Sequence, residues 1–239
     1  MADRDISPYK FFPLKTDRGE HRLGRLKQIY NSMLESLRNV MDIDDELNYY
    51  RTLDITTLSD NDFFKHLTRA IFTGIRNNVI QERWPAITKA FSNFDIHKVA
   101  KYTEKDVKRL MKNKKIIRHE GRIRATISNA KKIKEIIREY GSFVNYINSF
   151  DKPDELIEKL QEEFDFIGEV NVYEFAKEIG LPFIKPDKQI RRVFLKFRLI
   201  DEKASSEEIV EIGKTIAEAV KEKPAVVDCV IWNFGKRFS

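Results

Sequence analysis

The chain has 239 residues, 41% of them hydrophobic and 34% charged, with nine glycines and a formal net charge of +6. That length buries a substantial core in one large or two small domains, and the scarcity of glycine favours a helix-rich globular protein. The single cysteine, Cys229, rules out an internal disulfide, a four-cysteine iron–sulfur site and a cysteine-rich zinc site, and it points to an intracellular protein.

Residues 1–18 hold Pro8, Phe11, Phe12 and Pro13 without helical spacing and predict an arm that packs by its aromatics. Asp3, Arg4 and Asp5 leave no apolar stretch for a signal peptide. No apolar run in the chain is long enough to span a bilayer. From 20 to 40, Leu23, Leu26, Ile29, Tyr30, Met33, Leu34 and Leu37 recur at helical spacing. The acidic run 42–46 predicts a solvated start to a shorter helix through Tyr49 and Tyr50. Ser59 and Asp60 cap a helix expected over 61–74, with Phe63, Phe64, Leu67, Ala70 and Ile71 as its inward stripe and Gly74 closing it. A polar junction at 76–78 precedes a helix expected over 79–91. Thr103 and Asp106 form a capping box, and a basic stretch, 108–115, follows. The run 116–125, Ile-Ile-Arg-His-Glu-Gly-Arg-Ile-Arg-Ala, opens a long helix that continues through Ile127, Ala130, Ile133, Ile136 and Ile137 to Tyr140 and Gly141. His119 is expected to cap or pack rather than to carry protons. Near the C-terminus, 206–222 is an amphipathic helix and Pro224 opens a last one, with Cys229 on its apolar side as a small buried thiol. No repeat and no alternating strand pattern is found, so the expected fold class is all-α, two helical lobes with a cleft between them.

The stretch from 164 to 197 organises the rest. It contains a short hairpin at Ile167-Gly168, a helix ending at Gly180, a loop with Pro182 and Pro186, and a second helix opening on Asp187. A glycine just past a helix end and an Asp after Pro are ordinary stop and start signals. A helix N-terminus flanked by cations suits phosphate, which makes a carboxylate there unusual. This layout resembles the helix-hairpin-helix superfamily of DNA glycosylases that includes endonuclease III and the 3-methyladenine glycosylases. Phe166-Ile167-Gly168 stands for the family's hairpin and Pro186-Asp187-Lys188-Gln189-Ile190-Arg191-Arg192 for its second half. The 116–123 run resembles the Ile-Ile-Arg-His-x-Gly-Lys-Ile segment of 3-methyladenine glycosylase I.

The resemblance implies a base-excision repair enzyme that flips a damaged base, a modified purine, and hydrolyses its N-glycosidic bond. Asp187 falls on the family's catalytic aspartate: one ionised carboxylate can stabilise the positive charge growing on the sugar and orient a water. Val170 stands where bifunctional members carry a lysine, so the resemblance implies a monofunctional enzyme without lyase activity. It further implies phosphate binding by the backbone of Ile167, Gly168 and Glu169 with Lys185, Lys188 and Arg191, and wedge candidates Ile75, Arg76 and Asn77. Candidate base-pocket aromatics are Trp84, Tyr173, Phe183, Trp232 and Tyr49, with Tyr50 as a further choice beside it. The glutamate that reads the base in glycosylase I aligns with Arg69, and that subfamily's zinc ligands are missing, so no metal and no cofactor are expected. The organisation expected is 1–60 as N-terminal arm and helices, 61–165 as a central lobe, 166–198 as the hairpin and catalytic segment, and 199–239 as helices completing the terminal lobe. The partner implied is double-stranded DNA with a damaged base, bound by a monomer without membrane attachment in the cytoplasm, nucleoid-associated, or in the nucleus. The alternatives are a non-catalytic helix-hairpin-helix DNA-binding protein and a helical scaffold that holds a protein partner through the basic segment.

Overall fold

Thirteen α-helices and two short 3-10 turns order the backbone of residues 19–238, which are the residues that the computed structural model describes. The aromatic arm expected over 1–18 lies outside them. No strand occurs among the described residues, and the all-α expectation holds.

The first helices follow their sequence signals closely. α1 (Gly19–Arg38) buries Leu26, Ile29, Tyr30, Met33 and Leu37, and α2 (Asp44–Thr52) opens on Asp44, Asp45 and Glu46, whose negative charge suits a helix N-terminus. α3 (Asp60–Ile71) begins at a complete capping box between Ser59 and Asp62. It ends three residues short of Gly74, whose φ of +81° carries the turn. α4 (Asn77–Ala90) starts two residues earlier than its apolar pattern suggests. α5 (Ile96–Val99) is a single turn, α6 (Glu104–Lys112) carries the Thr103–Asp106 capping box, and α7 (Glu120–Tyr140) runs the length of the central core. His119 is the N-cap of α7, its Nδ1 accepting from the Arg122 N–H at 3.3 Å. The capping role is the one expected for it.

α8 (Phe143–Asn148) and α9 (Pro153–Glu163) have no counterpart in the sequence reading. α8 is too short to display a period, although Ser142 caps it. α9 carries a start signal that was there to be used, Pro153 at its first position followed by Asp154 and Glu155. α10 (Asn171–Glu178) and α11 (Lys188–Lys196) flank the proline loop, and α12 (Ser206–Val220) and α13 (Pro224–Phe238) finish the chain.

Packing divides these helices into two groups. α1 and α2 lie against α12 and α13, with α11 on α13; α3, α5, α6 and α8 pack on α7. α10 bridges the groups, touching α3 and α9 on one side and α13 on the other. Within the terminal group α12 approaches the proline loop at Gly213, where an added Cβ would overlap the fully buried Ile184 side chain. Gly213→Ala is therefore expected to cost about 1–3 kcal/mol in overpacking, measurable as a lower urea midpoint with an unchanged slope.

Candidate active site

The hairpin is held from below by α7. Asn129, buried on that helix, donates to the Asp165 carbonyl at 3.0 Å and accepts from the Asp165 N–H at 2.9 Å. This amide mimics a backbone strand and fixes the turn that leads into α10. Phe166 takes a left-handed backbone (φ +62°), packs edge-on to His119 at 5.8 Å and remains exposed. Arg122, from the same basic segment, donates to the carbonyls of Ile71 and Thr73 at the end of α3. Thr73 in turn hydrogen-bonds Asn171 at the start of α10. The start of α7, the α3 terminus and the start of α10 are thereby locked into one unit.

Asp187 sits at the start of α11 as its N-cap. Its Oδ1 accepts from the N–H groups of Gln189 at 2.8 Å and Ile190 at 3.0 Å. Its Oδ2 faces Lys185 Nζ at 3.7 Å, and the side chain is 18% exposed. The carboxylate is therefore neither sunk in apolar packing nor set on a bare surface.

Behind it lies a dense set of charges that the sequence reading did not find. Lys177 of α10 is inside the protein, with its ammonium 3.1 Å from Asp228, 3.1 Å from Glu178 and 3.7 Å from Glu174. Lys185 reaches Glu174 at 3.2 Å, and its backbone N–H donates to Asp228 at 2.7 Å. Tyr50 of α2 donates to Glu178 at 2.8 Å, and its ring lies under the Lys177 ammonium. Burial alone would depress the Lys177 pKa, but the facing carboxylates of Asp228, Glu174 and Glu178 hold it well above the usual lysine value. Burial alone would raise Glu174; Lys177 and Lys185 outweigh it and leave that carboxyl below its ordinary value. Burial wins at Asp228, which is raised. Four carboxylates, Glu174, Glu178, Asp187 and Asp228, thus share two ammonium groups, Lys177 and Lys185, for a formal charge of −2. Such a locus favours a developing cation over an anion. It also draws on both helix groups: α2 and α13 from the terminal one, α10 between, and α3 at its edge through His66 and Arg69, which feel the charge of Glu178.

The other expected residues divide sharply. Lys188, Arg76, Asn77, Gly168 and Glu169 are exposed, whereas Ile75 is half-buried against the core. The Ile167 N–H closes its own turn on the Phe164 carbonyl at 3.4 Å, so it points inward rather than toward a phosphate. The Glu169 carboxylate is tied to the Ser206 hydroxyl on α12. Arg191 is held by the Ala204 carbonyl at 2.7 Å, and Lys185 is an internal ion-pair partner, so neither extends from the surface. Among the aromatics, Tyr173 and Phe183 pack on each other at 5.4 Å in the core, with Lys214 over Phe183. Trp232 is half-buried on α13 with Lys236 over its ring. Trp84 has Phe94 stacked on it at 5.3 Å and the Arg69 guanidinium over it at 5.0 Å. Tyr49 is exposed and meets Tyr50 edge-on at 5.1 Å.

Comparison with known proteins meets this geometry in part. A family model described as methyladenine glycosylase matches residues 48–163. The DNA-3-methyladenine glycosylase of Haemophilus influenzae is 32% identical over 114 residues, covering 39% of this chain and 62% of that protein. DNA-3-methyladenine glycosylase 1 of Escherichia coli is 42% identical over 60 residues, covering 25% of this chain and 32% of that protein. The chain thus spans under two thirds of the length of either curated relative. The family-model match stops before the hairpin, so Asp187 and the charge set stand on their own geometry. In three dimensions the chain superposes on the 8-oxoguanine glycosylase/lyase of Methanocaldococcus jannaschii in its complex with DNA, with a TM-score of 0.59 and 19% identity, over 89% of this chain and 95% of that one. At that identity the likeness establishes the fold. The chain is accordingly similar in sequence to 3-methyladenine glycosylases over 48–163, and over 89% of its length it shares its fold with the Methanocaldococcus jannaschii protein.

Proposed function

We propose that this protein, acting as a monomer, extrudes a modified purine from duplex DNA and hydrolyses its N-glycosidic bond without cutting the strand. The observation that carries the reading is Asp187: a partly exposed carboxylate, oriented by two helix N–H groups, on the edge of a net-negative set of side chains. As the bond between the sugar's C1′ and the base nitrogen breaks, its electron pair leaves with the base and positive charge grows on the sugar. The carboxylate stabilises that charge and directs a water to C1′, taking up its proton. Lys185 and the backbone of α11 fix the carboxylate in place, so no reorganisation is needed when the charge appears.

Base extrusion costs roughly a few kcal/mol, which phosphate contacts must offset. Gly168 supports such contacts, because an added Cβ there would meet nothing within 4 Å of the protein itself. Any need for a bare backbone at this position then comes from a partner. Arg76, Lys188 and the basic stretch Lys108, Lys112, Lys114 and Lys115 offer further exposed cations.

The test is a set of duplexes, each with one modified base, scored for abasic sites by alkali cleavage. Release from at least one duplex, with no protein–DNA adduct trapped by borohydride, is expected; a trapped adduct overturns the monofunctional assignment. Duplex affinity is expected to fall steeply with salt, as counterion release requires. A flat salt response favours the protein-binding scaffold, and binding without release from any duplex favours the non-catalytic module.

A further inference from the structure

Among the described residues the large apolar side chains left exposed are Leu23, Val40, Tyr49, Tyr140 and Phe166, and of these Phe166 alone stands on a left-handed backbone, with φ +62°. A side chain is strained there, because its Cβ crowds the backbone in a conformation that glycine adopts freely. The turn holds it regardless. Asn129 grips both the N–H and the carbonyl of Asp165, and Asn171 Nδ2 donates to the Phe166 carbonyl at 3.3 Å. The ring rests on Gly121, where an added Cβ would lie 2.9 Å from the phenyl Cζ. His119 meets it edge-on at 5.8 Å, and the guanidinium carbon of Arg122 is 5.9 Å from its centroid. Even so seated, Phe166 is 46% exposed. Strain and exposure both work against folding, so the gain from presenting this ring comes from outside the chain.

The charges around the ring point to what covers it. Arg118, next in sequence to His119, is exposed, and so is Arg76, three residues beyond the Thr73 carbonyl that Arg122 holds. No carboxylate among the described residues pairs with Arg122, and its Nε is buried without a partner. Asp165 is the exposed carboxylate beside the ring, so cations outnumber it. A lone ring among charges is too small for a stable protein interface, which buries on the order of 1,000 Å² or more around an apolar centre. It matches a DNA strand, where each deoxyribose is an isolated apolar patch between two phosphates.

We propose that Phe166 is a DNA-contacting residue whose ring packs on a deoxyribose of the bound strand, an uncharged contact set between cations that take the flanking phosphates. The inference rests on the duplex binding proposed above and is independent of which base is released. The contact carries no sequence information and displaces no counterion. Its part is to fix the register of the strand on the hairpin, and the ring is ready for it because the turn beneath is already ordered.

The experiment measures the affinity for a duplex carrying one tetrahydrofuran abasic-site analogue, by fluorescence anisotropy across a salt series, for the wild type, Phe166→Gly and Phe166→Leu. Glycine suits the left-handed turn and removes the ring; leucine keeps apolar bulk, so either variant reports if the other misfolds. Phe166→Gly should bind about 5–10-fold more weakly at every salt concentration, which is the worth of burying the half of the side chain that is now exposed. The slope of log affinity against log salt should not change, because no phosphate contact is lost. Phe166→Leu should recover more than half of the loss on a logarithmic scale. If the ring only props the hairpin, its removal lets phosphate contacts go and the slope flattens, which overturns the proposal. Unchanged affinity of the glycine variant, or no recovery with leucine, overturns it too and leaves duplex binding intact. A wild type that does not bind the duplex removes the DNA reading and this contact together.

Discussion

Asp187→Asn is expected to slow base release by about 10²–10³-fold, the usual loss when one preorganised electrostatic stabiliser is removed from a transition state. Duplex affinity and melting temperature should stay where they are. The separation is possible because the residue has two tasks that use different properties. As a helix cap it needs only an oxygen that accepts from Gln189 and Ile190, and Asn caps as well as Asp. As the group facing the sugar it needs negative charge, which Asn lacks. Loss of the contact to Lys185 matters little, because that pair is 3.7 Å long and Lys185 keeps Glu174 at 3.2 Å. Asp187→Ala gives the complementary result. It removes cap and charge together, so about 1 kcal/mol of stability should go as well, roughly 2–4 °C in melting temperature for a chain of this size. Single-turnover assays at saturating enzyme isolate the chemical step. Unaltered release by the Asn variant would remove Asp187 from the mechanism.

Much of this site could be seen before the structure, and the part that could not has a common physical cause. The hairpin glycine, the proline loop and the capping Asp187 are local features: each is announced by residues within a turn of it. The capping box at Thr103 is equally local, and so is the cap at Ser59, although its box partner is Asp62 rather than the Asp60 expected beside it. The Lys177 set is different. Its partners Tyr50, Glu174, Glu178 and Asp228 come from three helices, and Lys177 and Asp228 are 51 positions apart. On α10 alone a lysine near two glutamates reads as an exposed i, i+3 pairing, the commonest arrangement on a solvated helix. Nothing local marks it as interior. The same limit explains the aromatics. Helical spacing says that Tyr173 and Trp84 face inward but not what they face, and packing then gives Tyr173 to Phe183 and Trp84 to Phe94 and Arg69. Arg69 itself was visible only as a mismatch with a glutamate. Its position over Trp84 depends on the turn at 72–76, which brings Asn77 and Trp84 of α4 to Arg69.

Lys177→Met should produce the largest loss of stability, about 3–5 kcal/mol, because it removes the one cation that the buried Asp228 shares with the half-buried Glu174 and Glu178. For a protein of this length that is roughly 6–20 °C in melting temperature. The loss is not the worth of the ion pair as such. It is the cost of leaving Asp228, whose side chain is only 3% exposed, charged and unmatched. The pH dependence follows from the direction of each shift. The folded-state pKa of Lys177 is raised, so its contribution is complete below the ordinary lysine range and disappears only as pH climbs through the folded value. The gap between wild type and variant should therefore be constant from pH 7 to about 9. On the acid side the gap should shrink. Asp228 is already raised by burial, and without Lys177 it takes a proton more readily, which relieves the variant and not the wild type. Adding Asp228→Asn to Lys177→Met should restore part of the loss at neutral pH, since the amide oxygen still accepts from the Lys185 N–H while the stranded charge is gone. Thermal melts of the three proteins at pH 5, 7 and 9 measure all of this. A single variant that melts within about 2 °C of wild type at pH 7 would show that water reaches Asp228, and the site would then be far less preorganised than the geometry implies.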